Sequence, residues 1–223
     1  MWPKGLHRLA APAVAGVVLF MSSCSGSSTQ QPAPQPPQTP PAAASSKPPS
    51  GTNAQAPVPA QKPVPPENNP PGDIPDDTAF VPYRSHDGRF SIKVPEGWAR
   101  HTRHTGVTFS EKLNTIDASW SSASAAPTTS SAKKTEVPQL QQTQLAFRLT
   151  SVKSVKLPGG NAVLITSEEN SPANGVTGKQ YRLDVLRYEY FSNGAEAVLT
   201  LSSPVGADNV DPWNLVSQSF RWA

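Results

Sequence analysis

The residues with the most chemical reach in this sequence are its histidines, a pair of neighbouring carboxylates and one cysteine. His101 and His104 stand three apart in the run Arg100-His101-Thr102-Arg103-His104. On a helix that spacing could bring two imidazoles to one metal ion. Here the run follows Gly97-Trp98 and precedes Gly106, which reads as strand or loop, and Arg100 and Arg103 would repel a cation. His86-Asp87-Gly88 has the composition of a turn. Glu168 and Glu169 adjoin at the end of an apolar run. Adjacent strand residues face opposite ways, so these carboxylates cannot converge on one bond as an acid–base pair must. No Gly-x-Ser-x-Gly elbow, phosphate loop or His-Glu-x-x-His run occurs. The expectation is no catalytic residue, no metal ligand set and no cofactor.

Cys24 is the only cysteine, so it cannot close an intramolecular disulfide. Lys4 and Arg8 precede an apolar run from Leu9 to Met21, interrupted by Pro12. Its thirteen residues fall short of the ~20 that a membrane-spanning helix needs. The run reads as the apolar core of an export signal. It ends in Met21-Ser22-Ser23-Cys24, which resembles a bacterial lipobox, with Met21 where leucine or valine is usual. The resemblance implies cleavage before Cys24 and lipidation of its thiol by diacylglyceryl and palmitate. Two or three acyl chains anchor stably where one is marginal. The alternative is an ordinary secretory signal with an incidental cysteine. The expected location is the extracytoplasmic face of the cell membrane, with the lipid as anchor.

Three regions follow: a signal peptide over 1–23, a lipidated cysteine with a stalk over 24–77, and a globular domain over 78–223. Sixteen of the 26 prolines lie between 25 and 77, and no Phe, Trp or Tyr occurs between Phe20 and Phe80. So little apolar surface cannot offset the entropy of ordering, so the stalk is expected to be disordered. As a flexible coil it would average ~40 Å end to end, and as extended polyproline it would reach ~160 Å. Charge points to no nucleic acid. The precursor carries +3, and loss of Lys4 and Arg8 leaves 17 basic against 16 acidic residues. Nucleic-acid domains show clustered basic stripes instead.

Aromatics return after 78, with tryptophans at 98, 120, 213 and 222. Phe90, Ile92 and Val94 alternate with polar residues, as do Ile116, Ala118 and Trp120, so both segments are expected to be half-buried strands. A third strand is expected over 161–168, after Pro158-Gly159-Gly160. A long one is expected over 180–191, where the apolar parity switches from Tyr181, Leu183 and Val185 to Leu186, Tyr188 and Tyr190. The switch predicts a bulge near Val185-Leu186. Asn193-Gly194 predicts a tight hairpin into Ala197, Leu199 and Leu201. One helix is expected over 135–149, capped by Thr135, after an exposed loop over 121–134. Another is expected from 208 or 209, with Trp213, Val216 and Phe220 on its core stripe.

Phe90-Ser-Ile-Lys-Val-Pro95-Glu-Gly97-Trp98 resembles the strand-and-turn opening of PsbP-like domains, and Ser219-Phe220 matches their C-terminal helix. Actinobacterial lipoproteins of mycobacterial type carry similar domains. The resemblance covers most of 80–222 and implies an α+β fold, an antiparallel β-sheet packed between helices as an α/β/α sandwich. It also implies an adaptor or binding role more often than catalysis. A fold by itself carries no function.

Tyr188, Tyr190, Phe191 and Trp222 are the remaining lead. If one parity of the 181–191 strand faced an open groove, it could hold a lipid or an envelope protein. The leading expectation is a non-enzymatic, membrane-anchored interaction or ligand-binding module of the cell envelope. A lipid or small-molecule carrier is the first alternative and an envelope hydrolase the second.

The anchor is directly testable. Cys24→Ser is expected to shift the protein from the membrane fraction to the medium, or to leave it as uncleaved precursor. Cell fractionation with immunoblotting reads this; mature Cys24→Ser protein that stays membrane-bound would rule the anchor out.

Overall fold

A computed structural model of the chain describes Val58 and residues 60–223. Cys24, the signal peptide and most of the expected stalk lie outside the described residues.

Among the described residues, ten strands and three helices follow in order: β1 (Phe80–Arg84), β2 (Phe90–Pro95), β3 (Ala99–Arg103), β4 (Gly106–Glu111), β5 (Asn114–Ser122), α1 (Thr129–Ser131), a π-helical turn (Ala132–Glu136), α2 (Val137–Thr143), β6 (Arg148–Leu157), β7 (Gly160–Asn170), β8 (Arg182–Ser192), β9 (Ala195–Pro204), α3 (Val210–Ser219) and β10 (Arg221–Trp222). Seven strands form one sheet in the order β3-β4-β5-β9-β8-β7-β6, with every neighbouring pair antiparallel. A second sheet has the order β1-β2-β10. The fold class is α+β, antiparallel sheet packed with helices, as expected.

Both faces of the large sheet are covered, and this explains the pattern of β8. Val107, Phe109, Ile116, Ala118, Leu199 and Leu201 share one face with Tyr188 and Tyr190, under α3 and the small sheet. Val163 and Ile165 on the opposite face pack against Ala132, Val137 and Leu140 of the other helical segment. Along β8, Leu183 and Val185 are buried on this second side, while Tyr188 and Tyr190 are buried on the first. The register of β8 with both neighbours is continuous, so the expected bulge at Val185-Leu186 is absent. A strand covered on two sides can change apolar parity with no extra residue. The hairpin at Asn193-Gly194 forms as expected, with φ of 48° and 75°.

The expected helix over 135–149 is shifted toward the N-terminus, to 129–143. Thr128 is the N-cap: its hydroxyl accepts from the Ser131 N–H, and the Ser131 hydroxyl bonds back to the Thr128 N–H. The run then passes through the π-helical turn, where the Val137 N–H reaches the Ala132 carbonyl five residues back. Pro138 follows and has no N–H to place, so a wider register costs nothing at that position. The helix stops at Thr143; Ala146 takes a φ of 49°, and Leu149 belongs to β6. Leu145 and Leu149 fall off the apolar stripe because neither is helical. The expected loop over 121–134 shrinks to 123–128 between β5 and α1.

The expected domain start at 78 leaves out a segment that packs on the domain. Ile74 is 5% exposed. Its N–H donates to Asn209 Oδ1 at 2.8 Å, and the Gly72 carbonyl accepts from both Asn114 and Asn209 amides at 2.7 and 2.9 Å. Asn170 receives the Val64 N–H and donates to the Lys62 carbonyl. Lys179 pairs with Glu67 at 2.9 Å. This strap makes almost no structure of its own; three buried asparagines of the domain satisfy its backbone.

A fragment starting at 58 is therefore expected to be more stable than one starting at 78. Loss of Ile74 burial and of the bonds to Asn114 and Asn209 should cost about 2–5 kcal/mol. Urea denaturation measures the difference; equal midpoints would show the strap to be energetically idle.

Candidate functional site

Helix α3 has two faces of different character. Asn209 sits at its N-cap but spends its side chain on the strap, and Asp211 lies in the first turn, where a carboxylate suits the helix dipole. Trp213, Val216 and Ser217 are buried along the inner stripe. Trp213 Nε1 donates to Ser203 Oγ at 3.3 Å, and the Tyr190 hydroxyl donates to the Ser217 carbonyl at 3.2 Å. Val210 and Leu215 lie outside, 67% and 38% exposed.

Open recesses border this helix. On the sheet side, Thr166, Asp184, Leu186, Ser203 and Trp213 line a cleft of about 220 Å³. On the strap side, Asp76, Thr78, Phe80, Asp211 and Leu215 line one of about 340 Å³. Toward the C-terminal end, Pro82, Ile92, Lys93, Leu215, Gln218 and Arg221 line one of about 400 Å³. A further recess of about 490 Å³ lies away from α3, between Thr128, Asn161 and Phe191.

His86, His101 and His104 are exposed. His101 lies on β3 and His104 in the turn beyond it. Among the described residues, no three His, Cys, Asp or Glu side chains are placed to hold a metal ion. Glu168 and Glu169 do face opposite ways. The carboxylate that shares a face with Glu168 is Asp184, its cross-strand partner. Glu168 is committed to two cations: Arg182 Nε donates to it at 3.1 Å, and Arg148 pairs with its other oxygen. Arg182 is only 3% exposed, and its Nη2 has no partner among the described residues. Burial, then the nearby Glu168 charge, raises Asp184. Burial also drives Glu169 to about 7, with Arg182 offsetting part of the shift. Glu189 is fully buried beside Arg187, and burial raises it too.

The aromatic lead divides. Tyr188 and Tyr190 are core, and Trp222 packs edge-on against Phe220. On the same face of β8, Leu186 and Asp184 open into the sheet-side cleft. Phe191 lines the recess at Thr128. Sequence reasoning missed the outer face of α3. Its one available signal was Leu215, an apolar residue off the Trp213-Val216-Phe220 stripe.

The chain matches no family model and no curated protein. Several solved structures are similar in fold. A protein from Bacteroides thetaiotaomicron has 12% identity and a TM-score of 0.44, over 64% of this chain and 48% of its own. The chain thus spans about half the length of that protein. Cyanobacterial PsbP from Synechocystis has 15% identity and a TM-score of 0.46, over 68% of this chain and 98% of its own. LpqN of Mycobacterium tuberculosis, described as involved in cell envelope biogenesis, has 16% identity and a TM-score of 0.42, over 66% and 92%. These are likenesses of fold.

The raised carboxyls set a pH dependence. Glu169 moves from 4.5 to about 7 on folding, so between those values the folded state binds more protons than the unfolded. Stability then falls as pH rises through that window. Glu189, Asp184 and Glu196 are raised as well and add with the same sign. Glu169→Gln is expected to flatten the fall in Tm between pH 4.5 and 7. A Glu169→Gln profile parallel to that of the native chain would refute the assignment.

Proposed function

We propose that this chain is a membrane-tethered module of the cell envelope that binds a partner and does not catalyse. One observation supports binding above the others: the outer stripe of α3 places exposed Leu215 between two open recesses of mixed polarity. Binding sites are concave, with apolar surface and a few placed polar groups. The tether is supported by the lipobox-like run ending in Cys24 and by the proline-rich stalk. No helix among the described residues is long and apolar enough to cross a membrane. A tether near the membrane would raise the effective concentration of the module for envelope partners.

The carrier reading calls for an enclosed apolar cavity, and the recesses around α3 are open. The hydrolase reading calls for a free carboxylate or an activated nucleophile. Glu168, the cross-strand neighbour of Asp184, is held by Arg148 and Arg182, so the two do not form a free carboxylate pair.

A photo-crosslinking residue at Leu215 tests the proposal in living cells, with 95%-exposed Val176 as the control position. A discrete product is expected from Leu215 and not from Val176. Equal labelling at both positions, or none at either, would refute binding through α3. Purified protein is expected to turn over no generic ester, phosphate, peptide or glycoside above blank. Turnover that Asp184→Asn or Glu168→Gln abolishes would refute the non-enzymatic reading.

A further inference from the structure

The two recesses that meet at Leu215 carry opposite charge. Their walls are continuous. Thr78, Phe80 and Pro82 are alternate residues leading into and along β1, so they share one side of the extended chain. Asp211, Leu215 and Gln218 recur at helical spacing on one stripe of α3. Both recesses include Leu215, so one groove runs between strand and helix with that side chain dividing it. Asp76 and Asp211 flank one half; Lys93 and Arg221 flank the other. None of these four charges enters an ion pair among the described residues. The Arg221 guanidinium only donates to the Gln218 and Phe220 carbonyls at the helix end.

We propose that this groove docks a short extended peptide with one basic and one acidic side chain bracketing an apolar residue. The inference rests on the binding role argued above and names the partner chemistry. The basic side chain enters the Asp76–Asp211 half and the acidic one enters the Lys93–Arg221 half. The apolar residue between them covers Leu215, Phe80 and Pro82. From Asp211 to Gln218 the helix rises about 10 Å. Extended backbone rises ~3.3 Å per residue and sets alternate side chains on one side, so residues i, i+2 and i+4 face the groove together over ~13 Å. The two charges therefore belong about four residues apart, with the apolar residue midway. A second copy of the chain does not suit this surface. A two-fold contact centred on Leu215 would set recess against recess and leave both unfilled. The acidic half also depends on the strap, which supplies Asp76.

The test is an amide NMR titration of the full chain with ten-residue peptides. The probes carry Lys and Glu four apart around a central leucine, in both orders, with all-acidic and all-basic controls. One bipolar order is expected to move the Phe80, Leu215 and Gln218 amides, and less so at high salt. Lys93→Glu and Asp211→Lys are each expected to weaken it at least fivefold, and Lys93→Glu combined with the oppositely charged peptide should recover part of the loss. Shifts elsewhere, no shifts, equal response to a single-sign control, or charge variants that bind like the native chain would overturn the proposal. In those cases the Leu215 crosslink in cells still reports separately on whether α3 meets any partner.

Discussion

The Phe220 ring joins three parts of the structure. It has no exposed surface and stacks on Tyr190 of the large sheet with centroids 4.2 Å apart. On its other sides it meets Phe90 of the small sheet at 6.0 Å and the edge of Trp222 at 5.5 Å. Each such pair contributes ~0.5–1.5 kcal/mol beyond its burial. The backbone must let this ring in, and Gly159 does so: a Cβ there would lie 2.7 Å from Cδ1 of the Phe220 ring. Because Phe220 ends α3, this stack fixes the helix's rotation about its axis. Trp213 and Val216 then face inward, and Leu215 has no option but the outside. The groove beside α3 is thus a consequence of how its C-cap residue is held.

The strap depends on a second constraint, the satisfaction of buried amides. Asn114, Asn170 and Asn209 are each 2% exposed or less, and each bonds to strap backbone. A buried asparagine without partners is costly, so the strap satisfies the domain as much as the domain orders the strap. Backbone recognition also explains how a proline-rich, nearly core-less segment becomes ordered. Composition arguments ask whether a segment can fold alone. Residues 60–77 could not, and the ordering groups lie 40 to 140 residues further on.

Legibility in the sequence tracks the range of the responsible interaction. β2, β5, β7 to β9 and α3 were readable because alternation or helical spacing marks a buried face locally. The turn at Asn193-Gly194 was readable because its backbone demands those residues. The helix over 129–143 was misplaced because Thr135 looks like a cap, while the reciprocal pair is Thr128 and Ser131. The parity switch in β8 signals a bulge only in a strand buried on one side, and β8 is covered on both. β3 and β6 carry weak patterns because they are the two edges of the sheet and are largely exposed; their Arg and Lys residues suit strands that must not pair further. For the candidate site, only Leu215 left a mark. Its neighbours Asp76, Lys93 and Arg221 come from three separate parts of the chain, and no spacing rule connects them.

Charge ties these features together. Residues 60–77 hold Glu67, Asp73, Asp76 and Asp77 against Lys62, a net −3, while residues from 78 onward hold 15 basic and 12 acidic groups, a net +3. The strap thus neutralises the body on which it lies, with Lys179–Glu67 as one explicit pair. Surface pairs of this kind are individually weak and screened by salt, so the asparagine contacts must set the strap's position and the charges only favour it. That position has two effects at once. It brings Asp76 to the groove beside Asp211, so the acidic half carries both of its carboxylates only when the strap is in place. It also withdraws about 20 residues from free chain, or ~60 Å of extended reach. Reach and surface chemistry are therefore linked through one segment. A domain with its strap released would extend further from its tether and would keep Asp211 alone opposite the basic half of the groove.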